Sequence, residues 1–292
     1  ALALSVQSKA HKQSLLDFIP MKHLRQPSYP CPTYEHVRED ENREFYKKFD
    51  GDNEKWYNHL RQPSYPCPTY EHVREDENRE FYKKFDGENE KWYNVLEKHT
   101  GIIPVDRHAI SMLHGIHDEI LHGQPQPDWI NEAHDGITVI EWIREAHRRL
   151  ALSKFNSPTK ARLTAGVLLN DWIEALIGIA HHTLDTRRAI FSSVGTNLLL
   201  AMRYAMGIAD DELPGPGSLL LLELRTPNGQ NRVVELFTRN STGQLFQRRL
   251  PTCEHRCPMD KFLTELRPMR LTVEDLDMVR EGLHDRITTT KT

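Results

Sequence analysis

Helix-period apolar residues through the middle of the chain, followed by short strand-like runs, predict a mixed α/β fold with a sheet-bearing part beside a large α-helical domain. Three observations carry this. Ile137, Ile140, Ile143, Ala146 and Leu150 recur at a spacing that places them on one helix face. Leu163, Val167, Leu169, Ile173, Leu176 and Ile177 do the same from Lys160 to Ala180, after a link at Asn156-Ser157-Pro158. Ser218–Arg225 and Arg232–Arg239 read as two strands joined by Pro227-Asn228-Gly229-Gln230, a sequence suited to a hairpin turn.

Taken in order, Ala1–Lys9 is too short in apolar length and lacks the shape of a signal peptide, so residues 1–22 are left unassigned. His23–Asn58 and His59–Asn94 are one 36-residue segment written twice, differing only at Asp52 and Glu88. A solenoid needs about three or more diverged repeats, so a recent duplication or a gene-model error fits the pair better. Each copy opens on a Pro-rich stretch (Gln62–Pro68 in the second) that cannot be helix interior. A charged, helix-period segment follows, with Tyr70, Val73, Phe81 and Phe85 as apolar contacts, a stop at Asp86-Gly87, and Trp92, Leu96 and Ile102 resuming the pattern. Only the second copy runs on into the rest of the chain. Residues 23–58 are therefore expected to be exposed, 59–186 to form the helical domain, and 187–292 to form an α/β part with the hairpin and a short tail. Within that part, Ala189–Val194 reads as a buried strand and Gly195-Thr196 opens a helix through Met206.

The bulk properties exclude some classes. The 292 residues can bury a sizeable core, and an apolar fraction of 38% is outside the disordered range. A net charge of −4 gives no electrostatic footprint for nucleic acid or anionic lipid. No continuous apolar run is long enough to span a bilayer; the longest lies near Leu219–Leu222. Four cysteines are too few for a disulfide scaffold. Of the sixteen histidines, His114, His117 and His122 invite a zinc site, but read as a solvated helix face without a full ligand set. Cys253-x-His255-x-Cys257 is half a zinc knuckle with no second half. No metal and no cofactor is expected. The charged run Glu71–Lys84 reads as a solvated helix face.

Several segments, in order, resemble the histidine acid phosphatases of the prostatic and lysosomal type. They are Cys67-Pro68 before a charged helix, Pro127-Asp128-Trp129, the helix Lys160–Asn170, the hairpin, Arg239-Asn240-Ser241-Thr242, and Leu250-Pro251-Thr252-Cys253 through Cys257-Pro258-Met259-Asp260-Lys261-Phe262. The resemblance covers roughly Cys67 to Pro268 and implies a partial, mixed histidine-phosphatase-like sheet with a large α-helical domain. The family's activity is phosphomonoester hydrolysis at acidic pH. Its nucleophile is a histidine in an Arg-His-Gly-x-Arg-x-Pro motif, whose arginines bind the phosphoryl oxygens; this chain contains no such motif. Its second catalytic element is a His-Asp pair at a strand end, where the next helix N-terminus helps hold phosphate. Counting from Gly166, those positions fall on Val194 and Gly195. A rival placement at Ala180-His181-His182-Thr183 puts His182 in the acid's place, but no strand precedes it and the spacing to the hairpin fails.

The resemblance also implies a Cys253–Cys257 disulfide and a glycosylation site at Asn240, and secretion or delivery to the lysosome. Another of the family's disulfides has lost both ends, at Asp118 and at Ser218-Leu219. Cys67 should pair with a cysteine near the C-terminus, yet none follows Cys257, and Cys31 has no assigned partner. The expected function is thus a catalytically silent member of the family. Alternatives are an active phosphatase with its site near His181-His182, or a secreted binding or antigenic protein. The sheet implied by the resemblance uses strands from an N-terminal half, so Ala189–Val194 is expected to leave an edge through which copies of the chain associate. Limited proteolysis should cut first between Pro27 and Asn58 and spare Pro63–Asn94, a difference that equal protection of the two copies would refute.

Overall fold

A long helix, α1 (Pro68–Thr100), is built from the second copy of the repeat. Pro68 occupies its first turn, where a missing N–H costs nothing. Gly101, with φ 71°, closes it by donating its N–H to Glu97 O. The computed structural model describes residues 2–6, 67–181, 190–227 and 231–280, all in one compact unit. The first copy, 23–58, lies outside the described residues.

The stop expected at Asp86-Gly87 does not occur. A methyl group on Gly87 would touch nothing, so its cost is helix propensity alone, about 1 kcal/mol. Against that cost, Phe85, Asn89, Trp92 and Leu96 are buried along one stripe. Asp86 accepts from Tyr93 Oη at 2.8 Å and from Arg107 Nη1 at 2.6 Å. The sequence shows the stop signal but not the stripe's partners.

Those partners are α2 (Arg107–Leu113), α3 (Gly115–Leu121), a 3-10 turn (Asp128–Asn131), a small hairpin of β2 (Ala133–His134) and β3 (Ile137–Thr138), and α4 (Val139–Ser153). Asp106 caps α2 through Ala109 N, and Thr138 with Glu141 forms a capping box on α4. That box fixes the start of α4 after Ile137. Ile137 therefore lies in β3 and is 46% exposed, not on the α4 face expected for it. The rest of that face holds: Ile143, Ala146 and Leu150 join Phe85, Trp92, Leu96 and Ile110 in one core. Trp92 stacks on Trp142 at 5.1 Å, and Trp142 Nε1 donates to Asn89 Oδ1 at 2.8 Å.

A second core lies under the sheet. Helix α5 (Pro158–Ala180), capped by Ser157, contributes Leu169, Trp172, Ile173 and Leu176 to it. Among the described residues one helix, α5, is long and apolar enough by length and composition to cross a membrane, with mean hydropathy 1.4. Its apolar residues are largely inside the fold, however, with 56% of that window buried. Gly166 has a separate reason: a Cβ there would lie 2.9 Å from Met269 O, and Leu271 N donates to Gly166 O at 3.1 Å. Only glycine lets that strap approach.

The sheet runs β4–β1–β5–β6–β7, with β8 paired to β6. Its strands are β1 (Leu2–Val6), β4 (Ile190–Val194), β5 (Leu219–Arg225), β6 (Val233–Arg239), β7 (Leu245–Arg248) and β8 (Cys257–Pro258). Helix α6 (Thr196–Ala205) follows β4; α7 (Met259–Leu266) and α8 (Val273–Arg280) complete the unit. The N-terminal segment left unassigned by sequence thus supplies an inner strand. β1 is parallel to β4, Val6 opposite Val194, and antiparallel to β5. One side of β4, expected to lie open, is filled by β1; no strand pairs with its other side among the described residues.

Where the two cores meet, Lys160 is 1% exposed. Its Nζ donates to Asn78 Oδ1 (2.8 Å), Ser153 O (2.9 Å) and Asn156 Oδ1 (2.7 Å), and Glu77 Oε2 lies at 3.4 Å. Burial pushes its amine down, with Glu77 opposing. Lys160→Met should strand those acceptors and cost about 3 kcal/mol, read as a lower urea midpoint with unchanged slope. Cys253 and Cys257 are joined by a disulfide spanning four positions. Replacing both by alanine should cost about 2 kcal/mol at most, since so short a loop removes little chain entropy. A loss far above that in thermal melts would assign the bridge more than a local role.

Candidate active site

Strand β4 delivers its last residue, Val194, beside Val6 of β1, and Gly195 caps α6. Gly195 is extended (φ −75°, ψ 160°) and its carbonyl accepts from Leu199 N at 3.2 Å. A strand ending at a helix N-terminus aims free backbone N–H groups outward, which suits an anion. The side chains supply no further chemistry there. Val194 is half-buried against the sheet-side core, and Gly195 is exposed with open space around it. Neither carries a proton donor or a nucleophile.

Register brings the start of β5 to the same end of the sheet, because Ser5 pairs with both Ser193 and Leu219. The end of β6 follows, with Leu219 opposite Arg239. Nearby residues line a cleft of about 370 Å³: Arg148, Arg203, Asp211, Glu212, Leu213, Ser218 and Asn240–Thr242. Arg203 is 4% exposed and sits 3.6 Å from Asp210 Oδ1. Asp210 also holds Arg248 at 2.6 Å, and Arg248 Nε donates to Thr238 Oγ1 at 2.8 Å. Burial pushes the Arg203 guanidinium down while Asp210 opposes it. Arg148 donates to Asp211 O at 2.7 Å and forks onto Glu145. Sequence reasoning missed this group, because the residues come from α4, α6, the α6–β5 connection, β6, β7 and the turn between those two strands, with no common spacing. The adjacent acids Asp210-Asp211-Glu212 were the one visible signal.

The remaining candidates lie apart by element. His181 is the exposed C-cap of α5, and His182 lies outside the described residues. Asn240 sits in the turn after β6, where its Oδ1 accepts from Thr242 Oγ1 (2.8 Å) and Gln244 N (2.9 Å). Cys67 caps α1 as a free, half-buried thiol, and Cys31 lies outside the described residues. Asp118 is exposed on α3, whereas Ser218 is buried before β5. His114 stacks on His147 of α4 and His117 lies beside His114, so the solvated face expected of them is half-buried; His122 is the exposed C-cap of α3. Among the described residues no group of three or more His, Cys, Asp or Glu is placed to hold a metal ion.

No protein-family model matches the chain. Curated relatives do. Rat prostatic acid phosphatase is 27% identical over 152 residues, covering 52% of this chain and 39% of its own length. Bovine lysosomal acid phosphatase is 28% identical over 152 residues, 52% of this chain and 35% of its own. Human testicular acid phosphatase is 26% identical over 171 residues, 56% and 39%. The chain thus spans under two-fifths of the length of these relatives. Among solved structures, a phytase from Citrobacter braakii aligns over 70% of this chain and 65% of its own, with 14% identity and a TM-score of 0.48, too distant to carry argument. Over the stretch shared with these curated relatives, the chain is similar to acid phosphatases of prostatic, lysosomal and testicular type.

Proposed function

We propose that this chain is a catalytically silent member of its family, one that keeps the fold around the phosphate end of the sheet but does not hydrolyse phosphomonoesters. The observation that carries the reading is Val194-Gly195 at the β4–α6 junction, where family spacing places the His-Asp pair. An aliphatic side chain cannot donate to a phosphoryl oxygen, and glycine has no proton for a leaving group. The 292 residues contain no Arg-His-Gly-x-Arg-x-Pro, the motif whose histidine attacks phosphorus in the family the chain resembles. Secretion or lysosomal delivery follows from the same family reading. The turn at Asn240-Ser241-Thr242, with Asn240 half-buried and Ser241 and Thr242 exposed, is the candidate for a glycan, and the side of β4 away from β1 suits association of copies.

Losing a nucleophile costs on the order of a million-fold, and losing a general acid roughly a hundred- to ten-thousand-fold, without simple multiplication. The unmodified chain should therefore release no product from an aryl phosphate at acidic pH. Val194→His with Gly195→Asp should fold, since the space at Gly195 is open, and should remain inactive because nothing can attack. Hydrolysis by the unmodified, contaminant-free chain would overturn the proposal and make His181 and His182 the first residues to replace.

A further inference from the structure

Helices α2 and α3 form a short arm between two left-handed glycines, Gly101 (φ 71°) and Gly123 (φ 68°). Its apolar contribution to the helical core is small: Ala109 and Ile110 are buried, and Leu113 is half-buried. Across from it on α4 lies His147. The His114 ring stacks on the His147 ring at 3.8 Å with an interplanar angle of 17°, and the His117 ring lies 5.5 Å from His114. Nδ1 of His117 and Nδ1 of His147 are both buried without a hydrogen-bond partner.

We propose that His114, His117 and His147 form an acid-released latch that holds the α2–α3 arm against α4. Neutral imidazoles tolerate this arrangement, since a bare ring nitrogen out of water is a modest cost and the faces stack. Protonation changes both facts. A buried N–H without an acceptor is expensive, and two imidazolium rings in face contact repel. The charged groups acting on the rings are Asp118 on α3, Arg144 on α4 and Lys154 at the α4 C-cap. Two are cations that oppose protonation, and the one acid is exposed. Accordingly burial pushes all three imidazoles down, His147 to about 4. The sign follows from linkage: with the arm released, His147 takes a proton below the ordinary 6.5, while with the arm docked it refuses one until about 4, and His114 and His117 shift in the same direction. Docking is at full strength above 6.5 and is lost progressively as pH falls between those values. The arm is otherwise held by the Arg107–Asp86 pair and the small apolar patch.

Hydrogen exchange of the full chain, normalised for intrinsic rates, reads this directly. Between about pH 7 and about pH 5, amides in Arg107–Leu121 should lose about tenfold or more in protection while those of α5 hold. His147→Phe keeps a flat ring against His114 but cannot be charged, and should remove most of that loss. Protection of the arm that does not change with pH, or a loss undiminished in His147→Phe, overturns the latch. Should the variant fail to fold, proton NMR titration of the unmodified chain decides. A depressed His147 midpoint supports the proposal, and one at the ordinary 6.5 rejects it.

Discussion

The buried ammonium of Lys160 is the constraint on which the arrangement of the two cores rests. A cation in the first turn of a helix sits at the unfavourable end of the dipole, and at 1% exposure it cannot be relieved by water. It is tolerable only with every donor occupied. The acceptors come from α1 (Asn78, with Glu77 nearby), the last residue of α4 (Ser153) and the α4–α5 link (Asn156). Asn78 in turn donates to Ser153 O, at 2.8 Å. Three helices are thereby held at one point, and the stripe of α1 that runs from Phe85 to Leu96 is aimed at α4 as a consequence. The same point fixes where α5 enters the sheet-side core.

From α5 the constraint passes to the end of the sheet where β4 meets α6. α5 packs on α6, whose N-terminus meets the end of β4, so the helix start and the strand end stay in register whatever side chains stand there. This separates the scaffold from its chemistry. Val194 belongs to the core and serves packing, while Gly195 contributes only backbone.

Elements whose signal is local were legible in the sequence. The Lys160 helix, the β5–β6 hairpin and the β4–α6 turn stand within two residues of where periodicity put them. What was not legible depends on partners distant in sequence. Asp86-Gly87 looked like a helix end because the stripe around it could not be seen to face α4. Ile137 fitted the α4 period, but Thr138 and Glu141 start the helix at Val139, two residues too late for it. Leu2–Val6 reads as a short apolar scrap until β4 and β5 lie on either side. At the candidate site, Val194 and Gly195 were found by family spacing, not by any property of their own. The Arg203–Asp210–Arg248 group and the His114–His147 stack are assembled across elements, and sequence spacing says nothing of them.

The place of β1 bears on how the chain is made. It is the first described strand to leave the ribosome, yet both of its neighbours lie far downstream, Leu2 pairing with Ile190 and with Leu222. At roughly 5–20 residues per second, synthesis leaves it without a partner for tens of seconds or so. The helical core, built from contacts nearer in sequence, can form in that interval. The centre of the sheet cannot, and contacts of such range are slow to close even once available. Chaperone dependence and misassembly should thus concentrate on Leu2–Val6, five residues that the finished sheet sets between two other strands.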